Sequence, residues 1–336
     1  MPVDDTTCGF IAFRNEPHSA QPQFDHPSAG ADTQSFVQSG LAAAIDERVR
    51  SYQFWYGDTS RQWSATRHES ARSSQTAAKR KSRCAMAPPQ GFDWNWAVTS
   101  GGNLSRRQMN QLLGLLLFTM PGLLGGRIAS IFGAQTVTTR LDLTALQPPD
   151  TAMALAAGRE AQGVLSASML NHSYRVWAFG KTLARAHGAP LDDELFYTAA
   201  MLHDIELENP QPNRCFAVRG AEHAALLLGE LDVPADRVAL IRDGIAGHMT
   251  LGADSDLADL AGALAAGAGV DLFGNRIQEL DPQWVAEIIT RHPRLDFKRL
   301  VTAAVAREAE AVPDGRTALL RRFGFDLMVN SSPFAE

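Results

Sequence analysis

The stretch from Ser168 to Asp204 decides the fold: SMLNHSYRVWAFGKTLARAHGAPLDDELFYTAAMLHD. Apolar residues recur in it every three to four positions, which is the spacing of a helix with one buried face. The turn Gly188-Ala189-Pro190 interrupts this pattern with residues that end helices. The stretch therefore predicts two consecutive helices, Ser168–Ala186 and Asp192–Asp204.

The same helical pattern continues on both sides, from about residue 88 to about residue 328. Short turns rich in Gly, Pro and Asp separate the segments, and only Thr136–Leu143 shows the alternation expected of a strand. We therefore expect an all-α bundle. The further predicted helices are Ser105–Leu117, a helix from Thr151 capped by Asp150, Arg219–Leu231, Ala235–His248, Asp254–Val270, Pro282–Arg291, Leu295–Ala311 and Arg316–Phe323.

Residues 1–90 differ in composition from the rest of the chain. They are rich in Ser, Gln, Asp, Thr and Pro, and residues 61–83 contain seven Lys or Arg against one Glu. Such a stretch buries too little apolar surface to offset the entropy lost on ordering. We expect a disordered extension at 1–90, followed by a helical domain at 91–330.

One segment, Leu112–Ile131, is apolar enough to raise the question of a membrane span. Pro121, Gly122 and Arg127 cut it into pieces shorter than the roughly 20 residues that a spanning helix needs. We expect a buried helix, a break and a second helix, and no membrane partner. The alternative is a helix that lies on a membrane surface.

Charge and cysteine content limit the partners. The net charge of −6 argues against a general nucleic-acid binder, which normally presents a basic face. Cys8, Cys84 and Cys215 are too far apart for a CxxC metal knuckle, and their number and spacing make no disulfide framework. This pattern is typical of a reducing cytoplasm. We expect a small-molecule substrate and no nucleic acid, and we leave homo-oligomerisation open.

Four of the nine histidines fall in apolar helical surroundings: His172, His203, His223 and His248. A single histidine of this kind is usually a core residue whose hydrogen bonds are satisfied. Four of them within 77 residues, with acidic residues in the same setting, indicate a functional site.

His203 and Asp204 end the predicted helix whose inward stripe is Leu195, Ala199 and Leu202. Adjacent helical residues point about 100° apart, so the two side chains cannot both enter the core from the middle of a helix. At the last turn, however, both can converge on an ion beyond the helix end. One nitrogen and one oxygen donor suit Zn²⁺, Fe²⁺ or Mn²⁺ better than Ca²⁺.

Asp271 lies in the segment GAGVDLFG, at the end of a helix rich in Ala and Gly. A carboxylate at the negative end of a helix, among Val270, Leu272 and Phe273, is unfavourable without a cation. The small residues around it let the backbones of neighbouring helices approach closely. Asp271 is therefore predicted as a further ligand.

These segments resemble a known family. The strings NHSYR at 171–175, MLHD at 201–204 and GVD at 269–271 are similar to the H…HD…D signature of the HD superfamily, which has a helical metal-binding core. The strings CFAVRGA at 215–221 and GAGVD at 267–271 look like the branch of cyanamide hydratase-like HD proteins. The resemblance covers about residues 145–280.

The resemblance implies a helical HD bundle with its metal-binding core at about 150–280. It implies a divalent ion, Zn, Fe or Mn, with His172, His203, Asp204 and Asp271 as ligands. It also implies a metal-dependent hydrolase or hydratase.

His223 and His248 allow two interpretations. In the first, one metal ion is bound, one of these histidines is an acid–base or substrate-positioning group, and the other supports the site from behind. In the second, both hold a second ion bridged by Asp204, as in HD relatives with two irons or two manganese ions. We favour one ion over two.

The residues after the HD pair depart from many nucleotide-cleaving relatives, which continue with Gly and a nearby Lys. Here Ile205-Glu206-Leu207-Glu208 follows. Glu206 is either a general base on a bound water or a solvated loop residue. Without that lysine the phosphate-ester hypothesis needs another cation, for which Arg175, one turn after His172, is the best candidate.

Three enzymatic hypotheses follow. A divalent ion with an open position lowers the pKa of its water from about 15.7 to about 7. The first hypothesis is a hydrolase or hydratase acting on a small molecule in the manner of cyanamide hydration, with His223, His248, Arg175 and Glu206 as catalytic candidates. The second is a phosphohydrolase acting on a nucleotide or phosphate ester, and the third is a di-iron oxygenase. A regulatory module without chemistry is a fourth possibility.

Overall fold

The computed structural model of the protein describes residues 91–115 and 138–336. All of them belong to Ser82–Glu336, the second of two units into which the chain divides. The predicted extension 1–90, most of the apolar segment Leu112–Ile131 and the first two residues of the predicted strand lie outside the described residues. None of the helices in the described part has the length and apolar character needed to cross a membrane.

Helices form the regular structure of the described residues, and no strand occurs there, which confirms the all-α prediction. Short 3-10 turns at Leu143–Leu146, Ala253–Ser255 and Ile277–Glu279 connect some of them. In chain order the helices are α1 (Trp94–Ser100), α2 (106–115), α3 (Ala152–Val164), α4 (Ala167–Ala186), α5 (Asp193–Leu202), α6 (Phe216–Gly229), α7 (Ala235–Gly247), α8 (Leu260–Phe273), α9 (Pro282–Arg291), α10 (Phe297–Ala311), α11 (Arg316–Arg322) and α12 (Phe325–Asn330).

Side-chain caps set where several helices begin. The hydroxyl of Ser166 accepts the amide proton of Met169 at the start of α4. The predicted cap of α3, Asp150, is wrong by one residue, because the hydroxyl of Thr151 accepts from the amide of Ala154 and the helix begins at Ala152. The side chain that caps α3 is therefore the hydroxyl of Thr151.

Three further predictions differ from the structure. The predicted helix Asp254–Val270 is a 3-10 turn followed by α8, which Asp259 caps by accepting from the amide of Ala261. Helix α6 begins at Phe216, three residues earlier than predicted, and its first amide donates to Glu308 of α10 at 2.7 Å. The predicted strand Thr136–Leu143 shows only an isolated bridge at Thr139 in its described part.

The core is built around the crossing of α4 and α8, with α5 beside α4 and α7 beside α8. Gly267 of α8 makes the crossing close, because a Cβ atom on it would lie 2.3 Å from the carbonyl oxygen of Val176 in α4. Gly180 of α4 faces the carbonyl of Ala263 in the same way, at 2.6 Å. One helical turn after Gly267 comes Asp271, and one turn before Val176 comes His172, so the crossing brings these two side chains together.

Candidate metal centre

Three helices deliver the side chains of the centre. His172 lies within α4, His203 and Asp204 follow directly after α5, and His248 follows directly after α7. All four are buried. His172, His203 and Asp204 each offer a ligand atom, and these atoms lie within 4.8 Å of one another. The structure thus brings three of the sequence-predicted ligands into one group.

Three imidazole nitrogens converge on the carboxylate of Asp204. The Nε2 atoms of His203 and His172 lie 3.3 and 3.6 Å from its Oδ2. The Nε2 atom of His248 lies 3.6 Å from its Oδ1. His248 was singled out in the sequence as an additional histidine, and its ring faces the same carboxylate as the two predicted ligands.

Hydrogen bonds at the opposite ring nitrogens define the tautomers. Nδ1 of His203 donates to the carbonyl of Ala200 at 2.8 Å, and Nδ1 of His248 donates to the carbonyl of Ile245 at 2.6 Å. A carbonyl can only accept, so each Nδ1 carries a proton, and whenever the ring is neutral its lone pair lies on Nε2, the nitrogen that faces Asp204. In metal-binding histidines the other ring nitrogen is anchored in the same manner.

The charges of the group are strongly perturbed. Burial, which on its own would raise the pKa of Asp204, is outweighed by its interactions with His203 and His248, which hold that pKa well below its usual value. Burial lowers the pKa of His172 and of His248. For His203 burial acts in the same direction, but the negative charge of Asp204 raises the pKa above its ordinary value. The carboxylate is therefore ionised and attracts a positive charge.

The donor set fits a transition-metal ion. Two ligand atoms about 2.1 Å from one ion lie about 3.4 Å apart at tetrahedral angles, close to the 3.3 and 3.6 Å that separate Nε2 of His203 and of His172 from Oδ2 of Asp204. Separations of this size are long for hydrogen bonds. Nε2 of His203 is buried and has no hydrogen-bond partner, as expected of a metal-ligand atom. Nitrogen and carboxylate donors suit Zn²⁺, Fe²⁺ or Mn²⁺.

Asp271, predicted as the fourth ligand, lies behind His172 and outside this group. Its Oδ2 accepts from Nδ1 of His172 at 2.7 Å and from Nη2 of Arg175 at 2.9 Å. Its Oδ1 accepts from Nε of Arg175 at 2.8 Å and from Nη1 of Arg294 at 2.7 Å. Four donors occupy the roughly four acceptor positions of the carboxylate, so in this arrangement the oxygens of Asp271 are engaged by His172, Arg175 and Arg294.

Arg175, predicted as a catalytic cation, is fully buried and holds Asp271. Its remaining nitrogen, Nη1, donates to the carbonyls of His292 and Pro293. Every nitrogen of this buried guanidinium group therefore donates to the protein itself.

Glu206 and His223, the other catalytic candidates, belong to a second polar cluster. Nδ1 of His223 lies 2.9 Å from Glu206, and its Nε2 lies 2.9 Å from Glu160 of α3. Arg219 donates to the other oxygen of Glu206 at 2.5 Å. Burial lowers the pKa of His223, but the two glutamates together raise it above its ordinary value. The structure thus separates His223 from the three imidazoles that face Asp204.

Sequence reasoning missed Arg294 and Glu160. Arg294 follows the turn His292-Pro293 with no local pattern that distinguishes it from a surface arginine, and its partner Asp271 lies 23 residues away. Glu160 occupies an unremarkable position in α3, and it meets His223 across 63 residues. Only the packing of the helices identifies either residue.

One comparison with known protein families gives a match. The family model of the HD domain matches residues 169–253, a range that contains His172, His203, Asp204, His223 and His248 and ends before Asp271. The match supports placing the chain in the HD superfamily. An HD domain implies metal-dependent hydrolase or phosphohydrolase chemistry, and the group of His172, His203 and Asp204 is compatible with it. A comparison with curated proteins finds no match.

Proposed function

We propose that this chain is a metal-dependent hydrolase or hydratase that acts on a small uncharged molecule, with the addition of water to a cyanamide-like nitrile as its reaction. The observation that supports an uncharged substrate is that three arginines near the HD pair and His172 are each paired with a carboxylate. Arg175 and Arg294 both form ion pairs with Asp271, the carboxylate behind His172. Arg219 is likewise engaged by Glu206.

We propose that His172, His203, Asp204 and His248 hold one divalent ion, and that Asp271 orients His172. Support comes from the three Nε2 atoms around Asp204 and from the saturated oxygens of Asp271. An ion bound there supplies Lewis-acid activation of water. The carbonyls of Ala200 and Ile245 and the carboxylate of Asp271 keep each Nε2 lone pair directed inward.

Proton transfer is proposed for the pair of Glu206 and His223. Glu206 follows Asp204 by two residues, and His223 lies between two glutamates that favour its protonated form. A protonated imidazole can supply a proton to a nitrogen that becomes basic during hydration, and here that proton would pass through Glu206, to which Nδ1 is hydrogen-bonded. For Arg175, the proposed role changes from a catalytic cation to a residue that holds Asp271.

A phosphohydrolase is the second candidate, because the HD domain match itself points to this chemistry. It would need a cation to balance the charge that develops on phosphate. A di-iron oxygenase would need His223 as a ligand, and the hydrogen bonds of both its ring nitrogens to glutamates weigh against that role.

The test uses the full chain, stripped with a chelator and reloaded separately with Zn²⁺, Fe²⁺ or Mn²⁺. Bound metal per chain is measured, followed by turnover of cyanamide, a nucleotide panel and p-nitrophenyl phosphate, and by oxygen uptake. We expect one equivalent of metal and metal-dependent conversion of cyanamide and water to urea. Asp204→Ala should lose both metal and activity.

His187→Ala is the matched control, because it removes a half-exposed surface histidine and should change neither metal content nor turnover. Cleavage of phosphate esters without urea formation would favour the second candidate. Two equivalents of iron with oxygen uptake would favour the third. Full metal occupancy in Asp204→Ala would show that the ligand assignment is wrong.

A further inference from the structure

Arg294 lies in the turn between α9 and α10, yet its side chain is fully buried. Its Nη1 donates to Oδ1 of Asp271 at 2.7 Å, and its Nε donates to Glu336 at 2.9 Å. A buried arginine costs a large desolvation energy unless its charge is compensated. Here two carboxylates compensate it, one on each side.

Aromatic rings hold the guanidinium group of Arg294 in place. Its central carbon lies 4.9 Å from the ring centre of Phe297 and 4.9 Å from that of Phe334. Phe297 also stacks on the imidazole of His172, with ring centres 4.7 Å apart and planes 23° from parallel. One ring therefore contacts both the arginine and the predicted metal ligand.

The backbone around Arg294 is fastened to α4, the helix that contains His172. The carbonyl of Arg294 accepts from the hydroxyl of Ser168 at 2.9 Å. The carbonyl of Pro293 accepts from Asn171 at 2.9 Å and from Arg175 at 3.3 Å. Because the turn and the helix are joined at these points, the distance from Arg294 to Asp271 is coupled to the position of His172.

We propose that Arg294 is a positioning residue of the metal centre: it fixes the Asp271 carboxylate, which in turn holds the proton on Nδ1 of His172 and keeps Nε2 directed at Asp204. This inference rests on the proposed metal site. Arg175 grips the same carboxylate through both oxygens, but only Arg294 approaches it from the turn before α10. Without Arg294, Oδ1 loses one of its two donors.

The first experiment compares Co²⁺ binding by the metal-free full chain with that of Arg294→Met, which removes the charge and keeps a long apolar stem. Partners behind a ligand typically change metal affinity about 10- to 100-fold, and we expect a loss in this range together with a changed visible Co²⁺ spectrum. Arg294→Lys retains one donor and the charge, so it should restore most of the affinity. Arg291→Met, an exposed arginine at the end of α9, is the control and should bind as the wild type does.

A second readout does not depend on metal. Nitrogen chemical shifts of His172 in the metal-free protein report which ring nitrogen carries the proton. We expect a single Nδ1-protonated form in the wild type and a mixture of tautomers in Arg294→Met. If Arg294→Met does not fold, the same measurements on Arg294→Lys decide, with a smaller loss of affinity and a detectable change in the shifts.

The outcomes separate the two proposals. Wild-type protein that shows no Co²⁺ spectrum dependent on Asp204 would overturn the proposed function. Wild-type protein that binds Co²⁺, with folded Arg294 variants of unchanged affinity, spectrum and His172 shifts, would overturn the positioning role alone.

Discussion

The carboxylate of Asp204 faces the Nε2 atoms of three imidazoles, and this contact influences the protonation of the centre. Because Asp204 raises the pKa of His203, one proton stays at the centre to a higher pH than an ordinary histidine would allow. A metal ion must displace that proton before His203 can serve as a ligand. Metal affinity therefore falls as the pH is lowered.

At the scale of single residues, His292 should make the stability of the protein depend on pH. Burial, with the charges of Arg175 and Arg291, lowers its pKa to about 4. In the unfolded chain His292 has its ordinary pKa of about 6.5. Between about pH 6.5 and 4 the unfolded state therefore binds more protons at this residue than the folded state does. The free energy of unfolding should therefore fall as the pH drops through this window and the contribution of His292 should become constant below it.

His292→Phe tests this effect. Phenylalanine retains the stacking on Tyr174, where the ring centres are 4.8 Å apart, and has no proton to bind. Urea unfolding of both metal-free proteins at about pH 7 and about pH 5 should show a smaller loss of stability in the variant. The two proteins differ only at residue 292, so the difference in the loss of stability reports the contribution of His292. Equal losses would contradict the pKa assigned to it.

Two residues of the candidate centre, His203 and Asp204, could be predicted from the chain itself, because they are neighbours in one short motif. His172 lies 31 positions before His203 and was identified through the family pattern. For Asp271 the sequence predicted a buried carboxylate in need of a cation. It could not predict that two arginines meet this need, because neither of them is a neighbour of Asp271 in the chain.

Helix α8 illustrates what small residues do at the scale of an element. Its close contact with α4 depends on Gly267, whose missing side chain leaves room for the backbone of Val176. The sequence analysis expected close approach of helices from the Ala and Gly residues around Asp271, and the contacts of Gly267 and Gly180 agree with that expectation. The contact partner in α4 was not predictable, since helical spacing does not specify which helix lies opposite.

Gly267→Ala should destabilise the protein. The new methyl group would lie 2.3 Å from a backbone oxygen that cannot move aside without shifting α4. Overpacking of this kind costs about 1–3 kcal/mol, which outweighs the roughly 0.5–1 kcal/mol that alanine gains in a helix. Urea or thermal unfolding measures the change.

Gly163→Ala is the matched control for Gly267→Ala. It lies in α3 with nothing within 4 Å of the added carbon. It should leave stability unchanged or raise it by about 0.5–1 kcal/mol. Equal effects of the two substitutions would contradict the close crossing of α4 and α8.

At the scale of the whole molecule, the contacts of the candidate centre all join residues within 138–336. Helix α1 and the turn after it also pack within the described domain, since Gly101 lies against the backbone of Asn213. The sequence-based boundary near residue 90 stays a prediction. It implies that the domain folds without the preceding residues.

Deleting residues 1–85 should leave the helical content, the melting temperature and the bound metal per chain unchanged. Circular dichroism, thermal unfolding and metal analysis of the shortened and full chains provide the comparison. Insoluble protein, or loss of metal after the deletion, would show that residues before 86 are part of the domain.

The sequence by itself determined the helical class, most helix positions and the HD pair, because apolar periodicity and capping depend on residues only a few positions apart. Tertiary structure decided which charges meet. Asp271 contacts His172 across 99 residues and Arg175 across 96, and His223 meets Glu160 across 63. A buried charge must be compensated, but the compensating residue can come from any helix that packs beside it. The role of Asp271 therefore followed from the crossing of α4 and α8, and the sequence around it showed only that a partner was required.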